Sequence, residues 1–392
     1  MMDPCVVASG NASQETIRYS IGKREKRCFI HKADDFVVFS PPQNKKPTAA
    51  IGSGARMIVL SLVLFFSSAC SSSALSGPAQ GVATASPVPT TTITGNGMLP
   101  GQQVWKQHVS SLLFGTNDTY EYKQQNIQTE TSIQDALHHA GFTLLRSFFP
   151  DNASDAAIEQ RMLTIERSGA TCLGVITNIF NTAFNEHLVR YLGKRCQMYE
   201  FGNEADFANV PVKSYVALWN KWIPLLRQIN PQAKFIGPVT FSPLGDHDFM
   251  RNFLLGVKAS GILPDAISFH WYPCFNNTER ACLAKASEAK QVVLNVRTMV
   301  RTILGRDVPV GVSEWNFDPG NPPPSYGDDA NFMSQFTTVA LTGMAQAGAA
   351  FACQFDAASY AGYGHLDMFD LSNDQPKAQF LAMQKLIQNY QP

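Results

Sequence analysis

Tyr199-Glu200-Phe201-Gly202-Asn203-Glu204 reads as a short apolar strand running into a polar turn, and it closes on a carboxylate. Gly and Asn suit such a turn. In a parallel barrel, the loops after the strands build the active site, so a carboxylate at a strand end sits at the mouth. A second ending of the same kind, Val308-Pro-Val-Gly-Val-Ser-Glu314-Trp315-Asn316, follows 110 residues later. At roughly 35 residues per strand–helix unit, that interval holds three units. Two glutamates at two strand ends imply two carboxylates facing one gap.

Outward from this pair, from about residue 105, short β-rich runs alternate with helical stretches, the signature of βαβ units. The strands are predicted at Ser111–Gly115, Thr143–Ser147, Cys172–Thr177, Met198–Phe201, Phe235–Val239, Ala266–Trp271, Val308–Ser313 and Ala349–Gln354. Helices are predicted at Ile133–His139, Asp155–Ser168, Glu186–Leu192, Val212–Gln228, Asp248–Ala259, Ala284–Leu304, Ala330–Ala347 and Gln375–Asn389. Eight strands, each followed by a helix, fit a closed (β/α)8 TIM barrel over 105–392. An open doubly wound sheet is the alternative. It would carry a glycine-rich phosphate turn after its first strand, and none is present.

The chain holds 31 Lys+Arg against 31 Asp+Glu, so a basic face and a nucleic-acid partner are not expected. Residues 1–56, with nine Lys/Arg against five Asp/Glu, lack sustained periodicity and read as disordered. Met57-Ile-Val-Leu-Ser-Leu-Val-Leu-Phe-Phe66 is too short to span a bilayer, which takes about 20 residues. It matches the apolar core of an export signal over 57–70 that ends in small residues. Ser-Ala-Cys70 resembles a lipoprotein cleavage box, although Ser67 stands where that pattern has Leu. Translation from Met57 instead of Met1 stays open. Residues 71–104 are rich in Ser, Thr, Ala, Gly and Pro and read as a flexible tether. Contact with a membrane is expected only through this signal or a lipid on Cys70.

Cys274 and Cys282 bracket a short polar loop and read as a local disulfide in an oxidising compartment. Cys172 and Cys196 open successive strands and can pair if their spacing allows. Cys353, in an apolar run, reads as a buried small hydrophobe. Paired CxxC spacing is absent, which argues against structural zinc.

Strand ends in chain order supply Asn117, Arg146, Asn178, Asn203-Glu204, Thr240-Phe241-Ser242, His270-Trp271-Tyr272, Glu314-Trp315-Asn316 and Gln354-Phe355-Asp356. This series resembles the clan of retaining (β/α)8 glycoside hydrolases whose acid/base and nucleophile glutamates end strands four and seven. Gly202-Asn203-Glu204, Ser313-Glu314-Trp315, Arg146 and His270-Trp271-Tyr272 carry the resemblance, which covers 105–392. Local motifs are similar to both xylosidase/iduronidase-like and glucuronidase/heparanase-like branches.

The resemblance implies cleavage of a β-glycosidic bond in a carbohydrate, by double displacement, with no cofactor and no metal. Glu204 would be the acid/base, its pKa raised by a second carboxylate and partial burial. Glu314 would be the nucleophile, held by Arg146 and Tyr272. Asn203 would bind the sugar 2-hydroxyl, and His270 would touch the sugar or orient Glu204. Trp315 and Asn117 are further substrate-binding candidates, and Trp271, Tyr360 and Tyr363 are candidates for stacking.

Simpler roles stand beside these. The glutamates could cap helices, Arg146 could pair with Glu200, His270 could be a core histidine, Asn203 a turn residue, and the tryptophans packing. The eighth strand lacks the Trp that floors the sugar site in many relatives, leaving Phe355 as its substitute or the strand misplaced. The cleft walls are expected from the Cys274–Cys282 loop and from Ala357–His365. An exported or surface-anchored monomer is expected, with an inactive sugar-binding barrel as the alternative. A metal-dependent hydrolase would want an H-x-H pair on an early strand, whereas His138-His139 falls on a helix. A Schiff-base lyase would want a strand-end lysine, and none of the eight ends has one.

Overall fold

The computed structural model describes residues 98–118, 127–320, 322–358, 364–370 and 372–392, together with four short strands between 16 and 37. The chain divides into two units, Met1–Ala85 and Ser86–Pro392. In the first, Thr16–Ile21 pairs antiparallel with Arg24–Phe29, and Lys32–Ala33 with Phe36–Val37. Those pairings aside, the expectations for 1–56, for the signal at 57–70 with Cys70, and for the tether up to residue 97 lie outside the described residues.

The second unit is a (β/α)8 barrel. Its strands are β1 Gly115–Asp118, β2 Leu144–Phe149, β3 Thr171–Ile176, β4 Met198–Phe201, β5 Lys234–Ile236, β6 Ile267–Trp271, β7 Val310–Trp315 and β8 Ala352–Gln354. All paired neighbours are parallel, and β8 returns to β1. The ring closes between β5 and β6 through bridges Ile236–Ala266 and Thr240–Phe269. The surrounding helices are α1 Thr131–Ala140, α2 Asp155–Arg167, α3 Thr182–Leu192, α4 Val212–Ile229, α5 Phe249–Ser260, α6 Glu279–Ala286, α7 Ala289–Leu304, α8 Ala330–Gln346 and α9 Ala378–Tyr390. Side-chain caps start several of them: Ser154, Asn181, Thr278 and Asp329 each accept from a backbone N–H of the first turn.

Strand alternation sorts the side chains into two cores. Leu144, Leu173, Met198, Ile236, Phe351 and Cys353 pack on one another inside the ring. Leu145, Cys172, Tyr199 and Phe235, one position along, pack outward against the helices. Gly311 must be glycine, since a Cβ there would lie 2.4 Å from the Phe351 ring. Two residues beyond Leu144 and Met198 on the same inward face come Arg146 and Glu200, so the interior turns from apolar to charged toward the C-terminal mouth.

The sequence placed the first strand four residues early. Ser111–Leu113 is a 3-10 turn that sends Leu112 into the inner core, and the strand proper is Gly115-Thr-Asn-Asp118. That polar run is buried because Asn117 faces the site and Asp118 faces α2, where Arg161 pairs with it at 3.1 Å. The helix predicted over Ala284–Leu304 is two helices, α6 and α7, broken at Ser287, whose hydroxyl donates to the Ala284 carbonyl. The last helix starts later than predicted because Gln375–Pro376 pairs with Phe369–Asp370.

The expected Cys274–Cys282 disulfide forms, and so does Cys172–Cys196, the pairing left open on its spacing. Cys172–Cys196 ties β3 to the segment entering β4, and Cys274–Cys282 ties the β6 loop to α6. Cys353 is free and buried. The 24-residue loop closed by Cys172–Cys196 should contribute about 3 kcal/mol through chain entropy. A Cys172→Ala/Cys196→Ala variant is therefore expected to lose about that much unfolding free energy and to unfold at a lower urea midpoint, and an unchanged midpoint would remove the bond's assigned role.

Candidate active site

Arg146 is fully buried and uses its whole guanidinium. Nε donates to Glu200 Oε2 at 2.5 Å, and Nη1 donates to Asn117 Oδ1 at 2.9 Å and to Glu314 Oε1 at 2.5 Å. Nη2 donates to Asn203 Oδ1 at 2.7 Å and faces His270 Nε2 at 3.5 Å. The pairing with Glu200 and the pairing with Glu314 are thus both real. Such a fork suits planar carboxylates and cannot be copied by lysine. Burial alone would lower the Arg146 pKa, but Glu200 and Glu314 outweigh it and raise the pKa. In an Arg146→Met variant two buried carboxylates lose their cation, a loss of about 3–5 kcal/mol. Urea unfolding should report it, and a fall below about 1 kcal/mol would mean water replaces the guanidinium.

Glu314 is the penultimate residue of β7, in register with His270 on β6. The Tyr272 hydroxyl donates to its Oε2 at 2.9 Å while Arg146 holds Oε1, so both oxygens carry donors. Its side chain is only 7% exposed. Burial, followed by the Glu314 and Glu204 charges, pushes the Tyr272 pKa far above its ordinary value and keeps that hydroxyl a donor.

Glu204 follows β4 through Gly202, at φ +92°, and is itself left-handed at φ +47°. That conformation is costly for a residue with a Cβ; it is held by Glu204 N–H donating to the Val239 carbonyl at 2.9 Å. Burial is the main cause pushing the Glu204 pKa up to about 7; Arg146 opposes it and the charge of Asp206 adds to it. The charge of Asp206 thus supplies part of the second-carboxylate effect expected from the sequence.

His270 Nδ1 lies 2.6 Å from Glu204 Oε1. Burial, with Arg146 adding to it against the pull of Glu314, lowers the His270 pKa to about 4, so the ring is neutral near pH 7. Arg146 offers only donors. The His270 nitrogen facing it is then the unprotonated one, and Nδ1–H donates to Glu204 Oε1. Oε2 of Glu204 is left to carry a proton.

A carboxylate oxygen of Glu204, a ring nitrogen of His270 and a carboxylate oxygen of Glu314 all lie within 4.8 Å of one another. The spacing would admit a metal ion. However, Arg146 sits 2.5 Å from Glu314 and 3.5 Å from His270, and a guanidinium there repels a second cation.

Other candidates fall elsewhere. Asn117 is fully buried: Oδ1 accepts from Arg146 and Nδ2 faces the Ser313 and Cys353 carbonyls at 3.2 Å, so it braces the site instead of reaching a substrate. Trp315 is 0% exposed and packs in the outer core; strand alternation turns it away once Glu314 faces in. Trp271, its register partner, likewise packs outward on Phe336 of α8. Tyr360 and Tyr363 lie outside the described residues. Phe355 follows β8 and meets Tyr272 edge-on, with ring centroids 6.3 Å apart, so it does stand at the eighth strand end.

The Cys274–Cys282 loop and the β7–α8 loop line a cavity of about 950 Å³, with Phe275, Asn276, Asp318 and Tyr326 among its lining residues and none of Arg146, Glu204, His270, Tyr272 or Glu314. Of the second expected wall, His365 packs behind Asp318, donating to its carbonyl at 3.0 Å, and residues 359–363 are not described. Sequence reading missed Asp206, although its place two residues after a strand-end glutamate was a signal.

No family model matches the sequence, and no curated protein matches it. Among solved structures, the chain is similar to a glucosidase from Croceicoccus marinus, with 20% identity over 71% of this chain and 67% of that one and a TM-score of 0.56. A GH5-4 broad specificity endoglucanase from Clostridium longisporum aligns at 12% identity over 71% of this chain and 96% of that one, with a TM-score of 0.49. The likeness to the glucosidase is one of fold: both chains share the (β/α)8 barrel that the strand-end series implied.

Proposed function

We propose that this chain is a retaining hydrolase of β-glycosidic bonds, with Glu204 as acid/base and Glu314 as nucleophile. The observation that carries the reading is the approach of Glu204 and Glu314 to within 4.8 Å between oxygens, one carboxyl biased toward the proton and the other held by two donors. Retaining enzymes hold their carboxyls about 5–5.5 Å apart, while inverting ones leave about 6.5–9.5 Å for a water. In the first step, Glu314 attacks the anomeric carbon and the Glu204 proton passes to the departing oxygen. In the second, Glu204, now ionised, takes a proton from water, which displaces Glu314. Arg146 holds Asn203 Oδ1, which supports a role for the Asn203 amide as donor to the sugar 2-hydroxyl. The fold shared with a glucosidase agrees with this chemistry.

Two disulfides support an oxidising, extracytoplasmic setting. Export through 57–70, with or without a lipid on Cys70, belongs to the same proposal. Proton NMR of an aryl β-glycoside digest tests the mechanism: the β-anomer of the sugar should form first. First release of the α-anomer would replace retention with inversion, and no release across a panel of sugars would leave a binding barrel.

A further inference from the structure

Two carboxylates share one guanidinium beneath the mouth. Glu200 Oε2 of β4 pairs with Arg146 Nε, and Glu314 Oε1 of β7 pairs with Nη1, each at 2.5 Å. Glu200 has no exposed surface, so it cannot touch a substrate. Its other oxygen, Oε1, is buried and meets no donor among the described residues. Withdrawing an acid from water in this way is costly unless its pairing is complete. Charge balance does not call for Glu200 either, because Glu314 alone would balance Arg146.

The groups that act on this trio bring no second cation. Burial pushes the Tyr215 and Tyr272 hydroxyls and the Cys353 thiol up, keeping all three protonated, and pushes His270 down, keeping it neutral near pH 7. Glu204, Asp206 and Asp356, the other ionisable neighbours, are acids. With Glu314 as a carboxylate, the trio therefore holds one positive and two negative charges. In the first step a Glu314 oxygen bonds to the anomeric carbon and the bond to the departing oxygen breaks. That oxygen leaves with the electron pair and takes the Glu204 proton, so Glu314 becomes a neutral ester. Arg146 and Glu200 are then a balanced pair. The pocket is matched to the intermediate and not to the resting carboxylate, the direction in which fixed charge speeds a step.

We infer that Glu200 is a positioning residue that acts through Arg146: it divides the guanidinium's charge, so that the Glu314 carboxylate is held in place without being neutralised and the ester forms in a pocket of balanced charge. The inference rests on the reading of Glu314 as nucleophile. It bears on the first step more than on the second. When the ester breaks, negative charge returns to Glu314 while positive charge grows on the sugar, and the two feel Glu200 in opposite senses.

Glu200→Gln tests this, since Gln can still accept from Arg146 Nε and keep the guanidinium in place. The full chain is treated with 2-deoxy-2-fluoro-β-glycosides of glucose, galactose and xylose that carry a dinitrophenyl leaving group. Such compounds load a retaining nucleophile with sugar and let it go slowly. Mass spectrometry follows both events: loading of Glu314 reports the first step, and unloading of the isolated ester reports the second. In the Gln variant, loading should slow about tenfold or more while unloading changes by less than about threefold. Glu200→Asp restores the charge and should load faster than the Gln variant. If a thermal melt shows the Gln variant unfolded, Glu200→Met, of similar volume, takes its place. Equal slowing of both steps would make Glu200 a structural anchor and overturn the inference. Unchanged loading, or an Asp variant no faster than Gln, overturns it too. A wild type whose Glu314 never carries the sugar sinks the hydrolase reading and the inference with it. A wild type that loads, with variants that show no split between the steps, sinks the inference alone.

Discussion

Glu314→Gln should lower kcat/KM on an aryl β-glycoside by on the order of 10⁴-fold or more, because the variant has no group to form the covalent intermediate. Gln keeps the shape of the side chain. Its carbonyl oxygen can stay on Arg146 and its amide can turn to Tyr272, whose hydroxyl both donates and accepts. The site should survive in outline, so the loss is read as chemistry once a thermal melt shows the barrel folded. A smaller Glu314→Gly variant opens room for azide. Added azide should then attack from the face that Glu314 occupied and give the α-glycosyl azide from a β-glycoside. Wild-type turnover in the Gln variant would end the assignment, and a β-glycosyl azide would move the nucleophile to another residue.

The barrel was legible because apolar strands and amphipathic helices alternate on a regular interval, and the two glutamates stand out at strand ends. Met198–Phe201 was placed to the residue, since an apolar run there meets an unmistakable turn at Gly202-Asn203. Gly115–Asp118 was missed for the opposite reason. Its residues are polar and yet buried, because inside the mouth polar side chains satisfy one another, and composition alone reads such a run as loop. Trp315 shows a different limit. Its neighbour Glu314 is the inward residue, so alternation sends the large ring into the outer core, a choice invisible until one of the two is known to face in.

Asn117 was found by position but not by role: nothing local says that Arg146 and three carbonyls take up its amide. The identity of the charge acting on Glu204 also depends on three dimensions. Asp206 is near in sequence, but its influence follows from the left-handed turn at Glu204 and from loops that meet around it.

For Glu204, the expected result depends on pH. With its pKa pushed up to about 7, the acid form falls away above that value, so wild-type kcat/KM should decline as pH rises through about 7. Glu204→Gln should lose this limb and about 10²–10⁴-fold in rate on substrates with poor leaving groups. A dinitrophenyl glycoside, whose leaving group departs without a proton, should still react quickly in the first step and then accumulate as glycosyl-enzyme. With Glu204→Ala, azide should intercept that intermediate and give the β-glycosyl azide, the opposite anomer from the Glu314→Gly variant.

Stability should follow the same proton. The folded state binds it more tightly than the unfolded chain, whose glutamate titrates near 4.5, so the contribution is complete below about 4.5 and lost as pH rises through about 7. Glu204→Gln carries no such charge, and Gln can still accept from His270 Nδ1–H. It should match wild type at pH 4 and exceed it by up to about 3 kcal/mol at pH 8. Chemical denaturation at the two pH values measures the difference. Equal stabilities at both would show that the folded protein does not raise this carboxyl's pKa, and the acid would then have to be sought elsewhere at the mouth.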